Sequence, residues 1–178
     1  MAAKSLNEDF FMQNAVDEDA WRDLSSELNW SETLLEKYRD KIDWKELSKN
    51  RNTLWTISIL EKYGERLDWH IFSYYADESV LTVDFIEMFK EKWDWYELSR
   101  NANLPLTDEI LQKFADKWVW NEIINKHYKE NIFADKGIDF YDRYKDFIPT
   151  DDKLRKSRLW KEMINQRSLQ IMLAITSQ

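Results

Sequence analysis

Residues 44–68 read WKELSKNRNTLWTISILEKYGERLD, residues 69–94 read WHIFSYYADESVLTVDFIEMFKEKWD and residues 95–119 read WYELSRNANLPLTDEILQKFADKWV, after which Trp120 opens a further copy. The tryptophans at 44, 69, 95 and 120 are therefore spaced by 25, 26 and 25 residues. A fixed period of that size marks stacked supersecondary units, each too small to bury its own apolar face. The period points to an all-α chain, an α-solenoid of about five two-helix repeats with degenerate capping ends.

Each copy divides in two. The longer helix, A, opens at Ser31, Thr56, Thr82 or Thr107, hydroxyls placed to accept from the free amides of a first turn. Three, four, seven and eleven residues beyond the cap the side chain is apolar in every copy: Leu34, Leu35, Tyr38 and Ile42; Ile59, Leu60, Tyr63 and Leu67; Phe85, Ile86, Phe89 and Trp93; Ile110, Leu111, Phe114 and Trp118. That spacing draws one stripe along a helix and faces it to the core. The shorter helix, B, opens at the Asp-Trp step, where Asp43 with Glu46 and Asp94 with Glu97 have capping-box spacing. Asn50 and Asn101 then stand where a left-handed residue is expected to end the helix. Helices of about 11 and 7 residues need their neighbours to persist.

The flanks read as worn copies. Ser5-Leu6-Asn7-Glu8 is a capping box, Trp21 opens a shortened unit, and Phe140, Tyr141, Tyr144 and Ile148 repeat the A stripe before Pro149. Thr150-Asp151-Asp152 caps a last helical stretch in which Trp160-Lys161-Glu162-Met163 echoes Trp44-Lys45-Glu46-Leu47. The expected organisation is a single helical-repeat domain over 1–178, with an N-terminal cap at 1–20, repeats at 21–148 and C-terminal capping helices at 149–178, whose outer face should be polar.

The consensus, W-x-x-L-S-x-N followed by a capped helix ending in K-W-D-W, resembles the tandem Trp-rich repeats of uncharacterised bacterial and giant-virus repeat proteins. The resemblance covers residues 21–148, is best at Trp44–Trp120, and implies a short helical repeat without implying an activity. The copy at Trp69 departs from it, with Phe72-Ser73-Tyr74-Tyr75-Ala76 in place of the L-S-x-N turn.

Composition narrows the function classes. The 178 residues contain no cysteine, which removes disulfides, thiolate zinc sites and cysteine nucleophiles together. Two glycines and two prolines leave little turn material beyond helix ends. No apolar run has the length of a signal peptide or a membrane span, so the expectation is a cytoplasmic chain with no membrane partner. A net charge of −8 disfavours nucleic acid, whose binding rests on phosphate neutralisation. The charge is uneven: residues 151–178 carry six Lys or Arg against three acids. The run Lys153, Arg155, Lys156, Arg158 and Lys161 is the sole candidate for a phosphate contact, and its spacing with Leu154, Leu159 and Trp160 otherwise reads as the polar side of an amphipathic terminal helix.

The periodic indoles could be stacking platforms or wedges between units, and their phase with Leu47 and Leu98 favours wedges. On helix A, acids recur at five and nine from the cap (Glu36 and Asp40, Glu61 and Glu65, Glu87 and Glu91) and bases at six and ten (Lys37 and Lys41, Lys62 and Arg66, Lys113 and Lys117). This stacks like charges within each helix, so compensation is expected from the next helix, with Glu65 or Glu91 near a neighbouring base. His70 and His127 lack a carboxylate spacing such as H-E-x-x-H, and no phosphate-cradling loop or G-x-S-x-G turn occurs, so no catalytic, metal or cofactor residue is assigned. The expected function is a non-enzymatic protein- or peptide-binding module, with Tyr74, Tyr75, Tyr96 and Arg100 as partner-binding residues because Tyr and Arg concentrate at interface hot spots. The rival expectation is a small acidic inhibitor, an immunity or nucleic-acid-mimic protein that covers a basic target.

Overall fold

The Ser, Thr and Asp helix starts written into the sequence from Ser31 onward form in the computed structural model of the protein, which describes residues 18–126, 133–134 and 136–176. Among the described residues every regular element is a helix. The capping box at Ser5–Glu8 lies outside them. The chain divides into two compact units, Met1–Leu81 and Thr82–Gln178.

The first unit runs through α1 (Glu18–Glu27), α2 (Glu32–Tyr38), α3 (Trp44–Leu47), α4 (Ile57–Tyr63) with a 3-10 turn at Gly64–Arg66, and α5 (Trp69–Tyr75) with a 3-10 turn at Glu78–Val80. Ser31 and Thr56 accept from the amides of Leu34 and Ile59, as A-helix caps should. Asp43 accepts from the Lys45 and Glu46 amides and Asp68 from Ile71, which opens each B helix on its tryptophan. Leu35, Tyr38, Ile59, Leu60 and Tyr63 are buried as the stripe requires, whereas Leu34 is only half-buried.

The second unit runs through α6 (Val83–Met88), α7 (Trp95–Arg100), α8 (Asp108–Lys113), α9 (Trp120–Ile123), α10 (Gly137–Tyr144), α11 (Asp152–Arg155) and α12 (Arg158–Thr176). Thr82, Thr107 and Asp94 cap α6, α8 and α7 through their side chains. Ile86, Phe89, Ile110, Leu111 and Phe114 line its core, together with Leu98, Ile123 and Phe133.

The A helices are shorter than the stripe implies. Each stops at or just before the seventh residue, and the chain continues in a tight turn in which the eleventh residue's amide still reaches back four: Ile42 to the Tyr38 carbonyl at 3.1 Å, Trp93 to Phe89 and Trp118 to Phe114 at 3.3 Å. The eleventh side chain therefore stays buried although its residue has left the helix. A second core position was invisible to the stripe. The residue just before each cap is buried at Trp30, Trp55 and Leu81, where a hydrophobic staple would fix the entry of the chain.

Candidate functional site

The repeated motif is the obvious place to look for chemistry, and inside each unit its tryptophan, serine and asparagine join neighbouring copies. Each periodic indole donates to the carbonyl five residues earlier: Trp44 to Arg39 at 3.1 Å, Trp69 to Gly64 at 2.8 Å, Trp95 to Lys90 at 3.2 Å and Trp120 to Ala115 at 2.8 Å. That bond closes the A-to-B turn and fixes the ring. Three of the rings then pack on an aromatic of the following A helix, Trp44 on Tyr63 at 5.4 Å, Trp95 on Phe114 at 5.5 Å and Trp120 on Tyr144 at 5.1 Å between centroids. Trp120 is buried, but Trp44, Trp69 and Trp95 are only half-buried, so these three indoles are wedges with one wet edge and not core residues.

Serine and asparagine complete the joint. Ser48 Oγ donates to the Trp44 carbonyl at 2.7 Å and accepts from the Asp68 amide at 2.9 Å; Ser25 does the same between Trp21 and Asp43, and Ser99 between Trp95 and Val119. One hydroxyl thus ties the end of a B helix to the start of the next. Asn50 is saturated: its Nδ2 donates to the Ser25 and Leu28 carbonyls, and its Oδ1 accepts from the Asn52 and Thr53 amides. The expected left-handed helix end does not form at Asn101, whose φ of −57° and ψ of 121° are ordinary for any residue. Asparagine is there for its amide.

Lys126 occupies the same place in the copy opened by Trp120, six residues after the tryptophan, as Asn50 and Asn101 do in theirs. It is buried, and burial holds its amine down at a pKa of about 7.

Charges on the A helices compensate between neighbours inside each unit, as their order implies. Lys62 lies 2.8 Å from Glu36 and 3.7 Å from Glu32, and Lys113 lies 3.7 Å from Glu87. The bridging acids stand five from the cap, or one at Glu32, and the bases six, whereas Glu65 and Glu91, at nine, are exposed a turn further on. Tyr63 also donates to Glu36, and with Lys62 it holds that carboxyl down at about 2. In the second unit Asp108 accepts from Tyr144 at 2.8 Å and from Arg143, which lowers the Asp108 pKa; burial and the Asp108 bond push Tyr144 up to about 12.

The four residues expected to bind a partner fall into two pairs, one in each unit. Tyr74 and Tyr75 meet edge to face at 5.1 Å, with the Arg51 guanidinium 5.2 Å above the Tyr75 ring. Tyr75 stands at the Asn50 position of its copy. Arg100 lies 5.3 Å over the Tyr96 ring while its guanidinium binds Glu97 at 3.0 Å and approaches Glu122 at 4.0 Å. Tyr74 is 37% and Tyr96 47% exposed, so each offers an aromatic face to solvent.

His70 is exposed and His127 lies outside the described residues. Among the described residues no cluster of three metal-ligating side chains occurs, and no helix is long and apolar enough to cross a membrane. The terminal stretch corrects one expectation. Leu154 and Leu159 are buried beneath the basic run, as an amphipathic helix requires, yet Leu169, Ile171, Met172, Leu173 and Ile175 on the second half of α12 are exposed, so that end is not capped by a polar face. Comparison with family models, curated proteins and solved structures finds no match to this chain.

Proposed function

We propose that the chain is a non-enzymatic helical-repeat module, an α-solenoid of about five two-helix repeats, that binds a protein or peptide. Supporting the architecture, the same Trp, Ser and acid-to-base joints recur inside both units. The observation that carries the binding role is Tyr96. Its ring is 47% exposed, yet it is braced by Arg100, which Glu97 holds in turn, so a large aromatic is presented to solvent in one fixed orientation. Preorganised aromatics of this kind lose little entropy on binding and recur as hot spots. Tyr74 and Tyr75 supply the second aromatic pair.

The test compares the intact chain with a triple variant, Tyr74→Ala, Tyr96→Ala and Arg100→Ala, in quantitative affinity capture, after confirming equal melting temperatures. Partners retained by the wild type and lost by the variant support the reading, and an unchanged set of partners at unchanged affinity overturns it.

A second reading rests on the charge. With residues 151–178 at three positive in excess, the remainder must hold −11 of the net −8, which suits an acidic inhibitor that covers a basic target. Ionic strength separates the two. A charge mimic loses affinity steeply between low and physiological salt, and an aromatic contact does not.

A further inference from the structure

The corner between α11 and α12 carries the charge opposite to that of the rest of the chain. There a polar cavity of about 510 Å³ is lined by Arg155, Lys156, Arg158 and Lys161, with Asn125, Ser157 and Glu162 completing its wall. Four of the lining residues are basic and one, Glu162, is acidic. Among the described residues no carboxylate comes within ion-pair distance of Arg155, Lys156 or Lys161, whereas Glu36, Glu46, Glu87, Glu97 and Asp108 elsewhere all hold a basic partner.

The corner is rigid. Leu154 and Leu159 are buried beneath it, the Leu159 amide donates to the Ile124 carbonyl at 3.1 Å, Ser157 Oγ accepts from the Trp160 amide at 3.0 Å, and Arg158 donates to the Lys126 carbonyl at 3.2 Å. Those bonds already occupy the Leu159 and Trp160 amides of the first turn of α12, so the side chains and not the helix end must supply the attraction. Like charges held together on a fixed frame repel, and an anion in the cavity relieves the repulsion among Arg155, Lys156 and Lys161 at once.

We propose that this cavity is a binding site for a compact anion bearing two phosphoryl groups. Two such groups carry roughly three to four negative charges near neutral pH, enough to engage Arg155, Lys156 and Lys161 together. Arg155 and Arg158 offer planar forks suited to phosphate oxygens, and Lys156 and Lys161 act as point charges. An extended nucleic acid is disfavoured, because a polymer reaching past the corner meets an acidic chain. The two sources of this chemistry are a soluble diphosphate and a phosphorylated lipid headgroup.

The experiment titrates the intact protein calorimetrically with inorganic pyrophosphate at low salt, and in a second arm measures its sedimentation with phosphatidylcholine vesicles that do or do not contain a phosphoinositide. The expected result is saturable binding that weakens at least tenfold in the double variant Lys156→Gln and Lys161→Gln, strengthens in Glu162→Gln, and is unchanged in Lys41→Gln, a lysine in the other unit. Both altered lysines are exposed, so circular dichroism and melting temperature should match the wild type. Binding in the pyrophosphate arm assigns a soluble ligand, and binding confined to phosphoinositide vesicles assigns a headgroup. No binding in either arm up to millimolar ligand, or binding that the double lysine variant leaves intact, overturns the site.

Discussion

Ser48 uses both halves of its hydroxyl, donating a hydrogen bond to the Trp44 carbonyl and accepting one from the Asp68 amide. Alanine at this position leaves the Asp68 amide without its acceptor, so Ser48→Ala is expected to cost about 1–2 kcal/mol, and Ser99→Ala a similar amount through Val119. Denaturant unfolding of the two single variants checks this, and no loss in either would mean that water replaces the hydroxyl at no cost. Lys126 makes a different prediction. Its amine is held at about 7 by burial, below its usual 10.5, so the folded state prefers the neutral form. Below about 7 both folded and unfolded chains are protonated and the penalty is full; between about 7 and 10.5 the unfolded chain holds the extra proton, so stability rises with pH, by at most about 1.4 kcal/mol per unit. Lys126→Asn, which restores the residue of the regular copies, is expected to remove that rise. Subtracting the variant's pH–stability curve from that of the wild type isolates it from the titration of other groups.

At the scale of the element, Gly137 is fixed by what lies against it. A Cβ there would stand 3.0 Å from the Met163 backbone nitrogen and 3.3 Å from the Glu162 carbonyl carbon, where α10 crosses α12. Gly137→Ala therefore requires the facing backbone of α12 to yield by a few tenths of an ångström, and an expected loss of about 1–3 kcal/mol is read from the melting temperature. The far half of α12 behaves in the opposite way. Leu169 and Ile175 touch little of their own unit, so Leu169→Glu and Ile175→Glu are expected to shift stability by under about 0.5 kcal/mol. A larger drop would show those side chains to be packed. Helix starts were legible in the sequence because one residue decides each: Thr56, Thr107, Asp43 and Asp94 cap where their spacing placed them. Helix ends were not, because the stripe of apolar residues continues through the turn that follows Tyr38, Phe89 and Phe114. The burial of Trp30 and Trp55 escaped for a related reason: each precedes a cap and so falls outside the helical period. Of the candidate site, the motif residues were legible as conserving a joint only in part. The tryptophan phase showed the wedge, but the bridging by Ser48 and Asn50 spans 20 to 25 residues and leaves no local pattern.

At the scale of the molecule, each unit joins its neighbouring copies by charge as well as by packing. The copies capped at Ser31 and Thr56 carry acids over acids and bases over bases, an arrangement unfavourable by itself, and across neighbouring A helices of one unit Glu36 finds Lys62, Glu87 finds Lys113 and Asp108 finds Arg143. A slip by one residue would bring like charges together, so the pairs select register more than they add stability, as exposed pairs generally do. Acid should dissolve that selection. Glu36 is held at about 2 against an ordinary 4.5, chiefly by the Lys62 bond and then by Tyr63, and Asp108 is lowered chiefly by Tyr144. A carboxyl lowered by folding contributes its full share above its unfolded value and loses it as pH falls through the folded one, so for Glu36 the loss falls between about 4.5 and about 2. The double variant Glu36→Gln and Asp108→Asn is therefore expected to melt slightly lower than the wild type at pH 7 and to converge with it near pH 2. Added salt should narrow the difference at pH 7 while leaving the wedge tryptophans' fluorescence unchanged. If the two curves instead stay parallel from pH 7 to pH 2, the carboxylates act through shape and not charge, and the register of the repeats is set by the tryptophan and serine joints alone.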